Sequence, residues 1–188
     1  EQGDFGYGVG VYQGQGENES ERNGGNDFVA KATYQVTPQL RLGASGHLGS
    51  IRLTGSPNDL AVRRAGLEAI YENGPWIVES EVIASDGFNL FSQSETPAFG
   101  YYLYGVRRLE ENLDAVVGYD RLDPDTDQKN SIKSDTTMNA RDRYTLGLNY
   151  YFSRDPIHRI MLNYEFRNEL EGPSVSGSGV PLRYQLVW

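Results

Sequence analysis

The chain is 188 residues long, with 17 Lys and Arg against 26 Asp and Glu, a formal net charge of −9 and no cysteine. The missing cysteines exclude a disulfide framework and a thiolate zinc site. The acidic balance argues against a nucleic-acid partner, which would need a basic face. Mean hydropathy is −0.57, and no apolar run approaches the roughly 20 residues of a membrane-spanning helix. That test is blind to membrane strands, which put only every second residue into lipid.

The first expected strand, Phe5–Gln13, places Phe5, Tyr7, Val9 and Val11 on one face and Gly6, Gly8 and Gly10 on the other. A Gln-, Glu-, Asn- and Gly-rich stretch over 15–26 reads as a loop. Strand two, over 28–36, sets Phe28, Ala30, Ala32, Tyr34 and Val36 against Lys31, Thr33 and Gln35, and Thr37-Pro38-Gln39 turns the chain. Strand three opposes Leu40, Leu42, Ala44 and Leu48 to Arg41, Gly43, Ser45 and His47. A loop of turn formers over 54–59 precedes strand four, with Ala65, Leu67, Ala69 and Tyr71 opposite Arg64, Gly66, Glu68 and Glu72.

Asn73-Gly74 is a strong hairpin signal. Strand five follows, with Trp76, Val78, Ser80 and Val82 outward and Ile77, Glu79, Glu81 and Ile83 inward. After a loop over 86–97, strand six spans about 99–109; the Tyr101-Tyr102 doublet blurs its alternation, and Tyr102, Tyr104 and Val106 are expected outward. Glu110-Glu111 is read as a turn into strand seven, with Leu113, Ala115, Val117 and Tyr119 against Asp114, Val116, Gly118 and Asp120. A long loop over 123–141 leads to the closing unit. There Tyr144, Leu146, Leu148, Tyr150 and Phe152 alternate with small or polar residues. Ile160, Leu162, Tyr164 and Phe166 follow, then Leu182, Tyr184, Leu186 and Trp188.

Connections near 38, 73, 110 and 155 are tight, whereas those near 20, 57, 92, 131 and 174 are long and polar. Strict alternation of short and long connections predicts an all-β, transmembrane, antiparallel up-and-down β-barrel of about ten strands, with short periplasmic turns and long outer loops. The aromatics sort the same way. Phe5, Tyr34, Tyr71, Trp76, Tyr150, Phe152 and Trp188 fall near the short turns. Phe28, Phe99, Tyr119, Tyr144, Tyr164 and Phe166 fall near the long loops. Residues 1–188 form one domain, and no leader segment is recognised, so a mature secreted form or a fragment is implied.

Three motifs carry a family resemblance: DAVVGYDRLDPDTD (114–127), RYTLGLNYYFSRDPIHRIMLNYEFRNE (143–169) and LRYQLVW (182–188). GVGVYQGQG, FVAKATYQVTP and AGLEAIYENGPWIVESEV echo it more weakly. On these residues the chain resembles the phosphate-selective outer-membrane porins, the porin O/P group. The resemblance implies a barrel of about sixteen strands, usually trimeric, that passes small anions through an arginine-lined constriction. With about ten strands, this chain matches the C-terminal portion of such a barrel. It lacks an arginine ladder and has Trp188 where that family usually ends on phenylalanine, an aromatic that still suits recognition by the outer-membrane assembly machinery.

Expected pore-lining residues are Lys31, Arg41, Arg64, Glu68, Glu79, Glu81, Arg107, Asp114, Asp120, Arg159, Glu165 and Arg183, with Glu72 and Arg167 beside them. Charged rings set channel selectivity, basic for anions and acidic for cations, and here the signs are mixed. A two-residue Asn73-Gly74 loop would set Glu68 opposite Glu79, and a Glu110-Glu111 loop would set Arg107 opposite Asp114. The calcium-loop spacing of Asp123, Asp125 and Asp127 fails at Gln128 and Ser134. His47 and His158 lie on different strands, and no nucleophile and base share a motif, so no enzyme, cofactor or metal is expected.

The first functional expectation is a porin of the bacterial outer membrane, passing small hydrophilic solutes or ions, phosphate among the candidates. Its partners would be lipid and lipopolysaccharide, the solutes, the assembly machinery and further copies in a trimer. The alternative is a structural or partner-binding barrel without transport.

Overall fold

A computed structural model describes residues 3–13, 24–89, 94–127, 139–154, 157–171 and 176–186. Its strands are β1 (Phe5–Gln13), β2 (Asn26–Thr37), β3 (Leu40–Ile51), β4 (Leu60–Asn73), β5 (Trp76–Asn89), β6 (Ser94–Glu95), β7 (Ala98–Glu110), β8 (Leu113–Asp123), β9 (Arg141–Arg154), β10 (Ile157–Glu169), β11 (Ser176–Gly179) and β12 (Leu182–Leu186). No helix is present among the described residues, so none is long and apolar enough to cross a membrane. Eleven strands join one antiparallel sheet in chain order, and the two-residue β6 pairs with the end of β5.

β11 and β12 both pair with β10 and share one register, Glu165 opposite Gly179 and Leu162 opposite Leu182. They are one edge strand interrupted at Val180-Pro181, where Asn163 N–H still donates to the Pro181 carbonyl. Proline is tolerated there because the strand is at an edge. The sheet therefore has ten strand positions. It is not closed: among the described residues β1 pairs only with β2, and β11 and β12 only with β10.

Because every neighbour pair is an up-and-down hairpin, the Pro38-Gln39, Gly74-Pro75 and Glu111-Asn112 turns lie at one end. The longer connections lie at the other. Asp155, Pro156, Trp188 and most of the long-loop residues fall outside the described residues.

Registers keep the alternation in phase across the sheet. Tyr7, Ala32, Ala44, Leu67, Val82, Tyr101 and Arg121 run along one row of the apolar face. One row on the other face reads Gly6, Thr33, Gly43, Glu68, Glu81, Tyr102, Asp120, Arg143, Arg167 and Gly177.

Burial is inverted relative to a water-soluble sheet. Val9 is 81% exposed, Leu67 66%, Leu146 60% and Leu182 69%, whereas Asp114 is 4%, Thr145 3% and Glu165 5%. The described residues include three buried hydrophobics, Val62, Phe88 and Ala140, and all three sit at the long-loop end.

Two sequence expectations shift here. The β4–β5 turn is Gly74-Pro75, not Asn73-Gly74, so Asn73 faces Trp76 and Glu68 faces Glu81 instead of Glu79. Gly74 has φ +56°, and proline cannot take the second positive φ of a type I′ turn. Glycine first and proline second instead fit type II′. In β7 the phase is opposite to expectation. Phe99, Tyr101 and Leu103 share the apolar face, and Tyr102, Tyr104 and Val106 the polar one.

Candidate functional site: a charged row across the polar face

The polar row places like charges side by side twice, Glu68 opposite Glu81 and Arg143 opposite Arg167. Directly opposed like charges destabilise a sheet, so each needs a counter-charge. Lys31 Nζ donates to Glu68 Oε2 at 2.7 Å. Arg143 Nε donates to Asp120 Oδ2 at 2.8 Å, and Arg167 Nη2 to Glu165 Oε2 at 2.7 Å. Tyr104 donates its hydroxyl proton to the same Asp120 oxygen at 3.0 Å. Its ring lies over Gly118, where an added Cβ would come within 2.2 Å of it. The glycine is what lets the tyrosine lie flat on the wall.

The residues expected to line a pore sort as follows. Lys31, Arg41, Arg64, Glu68, Glu72, Glu79, Glu81, Asp114, Asp120, Arg159, Glu165, Arg167 and Arg183 share the polar face. Arg107 does not: it lies on the apolar face opposite Trp76 and Ala115, with its guanidinium 5.1 Å from the Trp76 ring centroid. A register shift between Arg108 and Glu110 puts Arg108, not Arg107, opposite Asp114. The turn is Glu111-Asn112 and not Glu110-Glu111, in keeping with asparagine's turn preference.

Asp114 is instead held by Arg154, from Nη2 at 2.7 Å and Nη1 at 3.2 Å. Arg154 stacks on the Tyr151 ring at 3.9 Å, and Tyr151 Oη accepts from Arg159 at 2.8 Å. Arg141, Arg143, Arg108 and Tyr102 were absent from the expected set. Arg141 fell inside the stretch read as a loop, and Arg143 was left out although the phase of β9 puts it on the polar face, whereas Arg108 and Tyr102 were displaced by the β7 doublet and bulge.

Charge is segregated. On β2 to β5 the polar face carries Lys31, Arg41 and Arg64 against Asp27, Glu68, Glu72, Glu79 and Glu81, three cations to five anions. On β7 to β12 it carries Arg108, Arg141, Arg143, Arg154, Arg159, Arg167 and Arg183 against Asp114, Asp120, Glu165 and Glu169, seven to four. Glu79, Glu81, Arg141 and Arg183 make no ion pair among the described residues.

Shallow cavities flank the row. One of 230 Å³ lies between Glu81, Tyr102, Tyr104 and Arg143, and one of 270 Å³ lies beside Asp120, Arg141 and Arg167.

The histidines and the acidic loop have structural partners. His47 Nε2 lies 2.7 Å from Asp27, and Asp27 also accepts from Ser50 N–H. His158 sits on the apolar face 2.7 Å from the Tyr184 hydroxyl. Asp123 and Asp125 accept from backbone N–H groups two residues on. No three His, Cys, Asp or Glu side chains gather as a metal site among the described residues. In the loop outside the strands, the hydrogen bond from Arg52 to Asp59 raises the arginine's pKa.

On the apolar face the rings form two belts. Phe99, Tyr101, Tyr119, Tyr144 and Phe166 run in contact at centroid spacings from 5.0 to 6.4 Å near the long loops. Tyr150, Phe152, His158 and Tyr184 do so at 4.7 to 5.3 Å near the short turns. From Tyr144 to Phe152 is about 26 Å along the strand at ~3.3 Å per residue. A tilt of ~40° brings that to about 20 Å, close to the height of a barrel's apolar band.

This is an all-β protein of one antiparallel up-and-down sheet, apolar on one side and charged on the other. No protein-family model, curated protein or solved structure matches the chain.

Proposed function

We propose that the sheet is the wall of a β-barrel in the bacterial outer membrane, and that the barrel is a porin passing small hydrophilic solutes or ions by passive diffusion, phosphate among the candidates. The inverted burial carries this reading: large exposed apolar side chains between two aromatic belts on one face, buried carboxylates paired with more exposed arginines on the other. Only hydrocarbon makes that first face favourable, and only water or paired charge makes the second tolerable. The resemblance to the closing strands of the porin O/P group supports the same reading. Open backbone edges cannot face lipid, so the edges of β1 and β12 are paired in the membrane. The short turns then face the periplasm, and the wall needs no cofactor and performs no covalent step.

One observation favours a barrel without transport. Lys31–Glu68, Arg143–Asp120, Arg167–Glu165 and Arg154–Asp114 already pair across the polar face, as in a lumen filled by its own side chains. Reconstitution in planar bilayers separates the two readings. Stepwise ionic conductance is expected for the channel, and a silent bilayer containing inserted protein overturns it. Insertion is checked independently with nitroxides at Leu67, Leu146 and Leu162, each expected to be relaxed by oxygen dissolved in the lipid.

A further inference from the structure

Between the acidic and basic halves of the polar face, the 230 Å³ cavity is walled by Glu81 on one side and Arg143 on the other, with Tyr102, Tyr104 and Asp120 between them. Gly100 forms its floor, where an added Cβ would crowd the Arg121 carbonyl oxygen at 3.3 Å and the Leu122 side chain at 3.5 Å. Glu81 makes no ion pair among the described residues, and Glu79 follows it on the same face of β5. Three strand spacings separate Glu81 from Arg143 along the row, about 14 Å between backbones at ~4.8 Å each. Arg143 reaches into that interval to meet Asp120 at 2.8 Å, whereas Glu81 Oε1 lies toward Gly66 on β4.

We propose that this cavity is a subsite for small zwitterionic solutes of the dipeptide class, with the ammonium toward Glu81 and Glu79 and the carboxylate toward Arg143. Two residues at roughly 3.3 Å each separate a dipeptide's charged ends by about 7 Å, and a charge-assisted hydrogen bond of about 2.8 Å at each end extends the reach to about 13 Å, the order of that interval. The two tyrosines offer ring faces to the peptide unit, their hydroxyls being held by Glu81 and Asp120. A solute of one charge meets its match at one wall and repulsion at the other, whereas a zwitterion satisfies both.

The proposal rests on the channel reading, and the test keeps the two apart. In planar bilayers, current through the unmodified protein is recorded with diglycine, with neutral N-acetylglycinamide, with acetate and with methylammonium. Block or slowed current by diglycine beyond the other three supports the subsite. Equal block by acetate, or none by diglycine in a conducting channel, overturns it while leaving the channel intact. Absence of any current removes the channel and the subsite together.

Glu81→Gln and Arg143→Gln are each expected to weaken diglycine block about two- to fivefold. Gly100→Val, which alters no charge, is expected to abolish the block by filling the floor. A Gly100→Val channel that blocks as well as the wild type also overturns the proposal.

Discussion

Asp114 and Arg154 show how a single ion pair is weighted by where each partner sits. The Asp114 side chain is 6% exposed and that of Arg154 31%. Removing the aspartate leaves an arginine that water can reach; removing the arginine strands a buried carboxylate. Asp114→Ala is therefore expected to cost about 1–3 kcal/mol and Arg154→Ala more, about 3–5 kcal/mol. Urea unfolding in lipid vesicles measures both, and equal costs would contradict the burial argument. The sequence placed Asp114 on the polar face but could not name its partner. Arg154 is forty residues away in the chain, and the local candidate, Arg107, was carried to the other face by the bulge before Glu110.

At the level of elements, most of the strand phases were legible because Leu, Val, Ala and Tyr alternate with charged or glycine residues, as in β4, β8 and β9. β7 was not, since AFGYYLYGVRRLE has rings on both faces and periodicity alone gives no phase. Pairing decides it: Tyr102 falls opposite Glu81 and Asp120, and Leu103 opposite Ser80 and Tyr119. Nitroxides at Tyr101 and Leu103 are accordingly expected to be relaxed by oxygen in lipid, and those at Tyr102 and Tyr104 by a water-soluble nickel chelate. The reverse pattern would restore the phase the sequence suggested.

The hairpin before β5 failed for a different reason. Asn73-Gly74 is a good turn signal, but Pro75 beside it has no N–H to give a strand and displaces the turn by one residue.

The edges belong to this scale too. Gln35 N–H donates to the Asp4 carbonyl and Asn163 N–H to the Pro181 carbonyl. The alternate residues, Tyr7 and Val9 in β1 and Leu182 and Tyr184 in β12, therefore turn their backbone groups to the free sides. Both sets also lie on the apolar face, so the two edges are in matching phase for antiparallel pairing. In bilayers the amides of Val9 and Leu182 are expected to exchange as slowly as those inside β4. Rapid exchange would mean that the edges stay open and that the sheet does not close in lipid.

For the whole molecule, the sequence made the two-faced sheet readable but not its closure. Alternation is a local property, whereas closure depends on strand count and on what pairs with β1 and β12. Selectivity is likewise collective. The charges named on the polar face number ten cations and nine anions, yet the acids gather on β2 to β5 and the arginines on β7 to β12. Rings of one sign select ions, but in the proposed channel an ion passing the row would meet both signs at the same level, with neither prevailing. Reversal potentials in a salt gradient are therefore expected to show weak selectivity in the wild type. Neutralising the adjacent acids by Glu68→Gln with Glu81→Gln leaves Arg143 and Arg167 dominant on that row and is expected to make the channel anion-selective. Arg143→Gln with Arg167→Gln is expected to push it the other way. Unchanged reversal potentials in both double variants would mean that permeating ions do not pass along this face, whichever strands complete the wall.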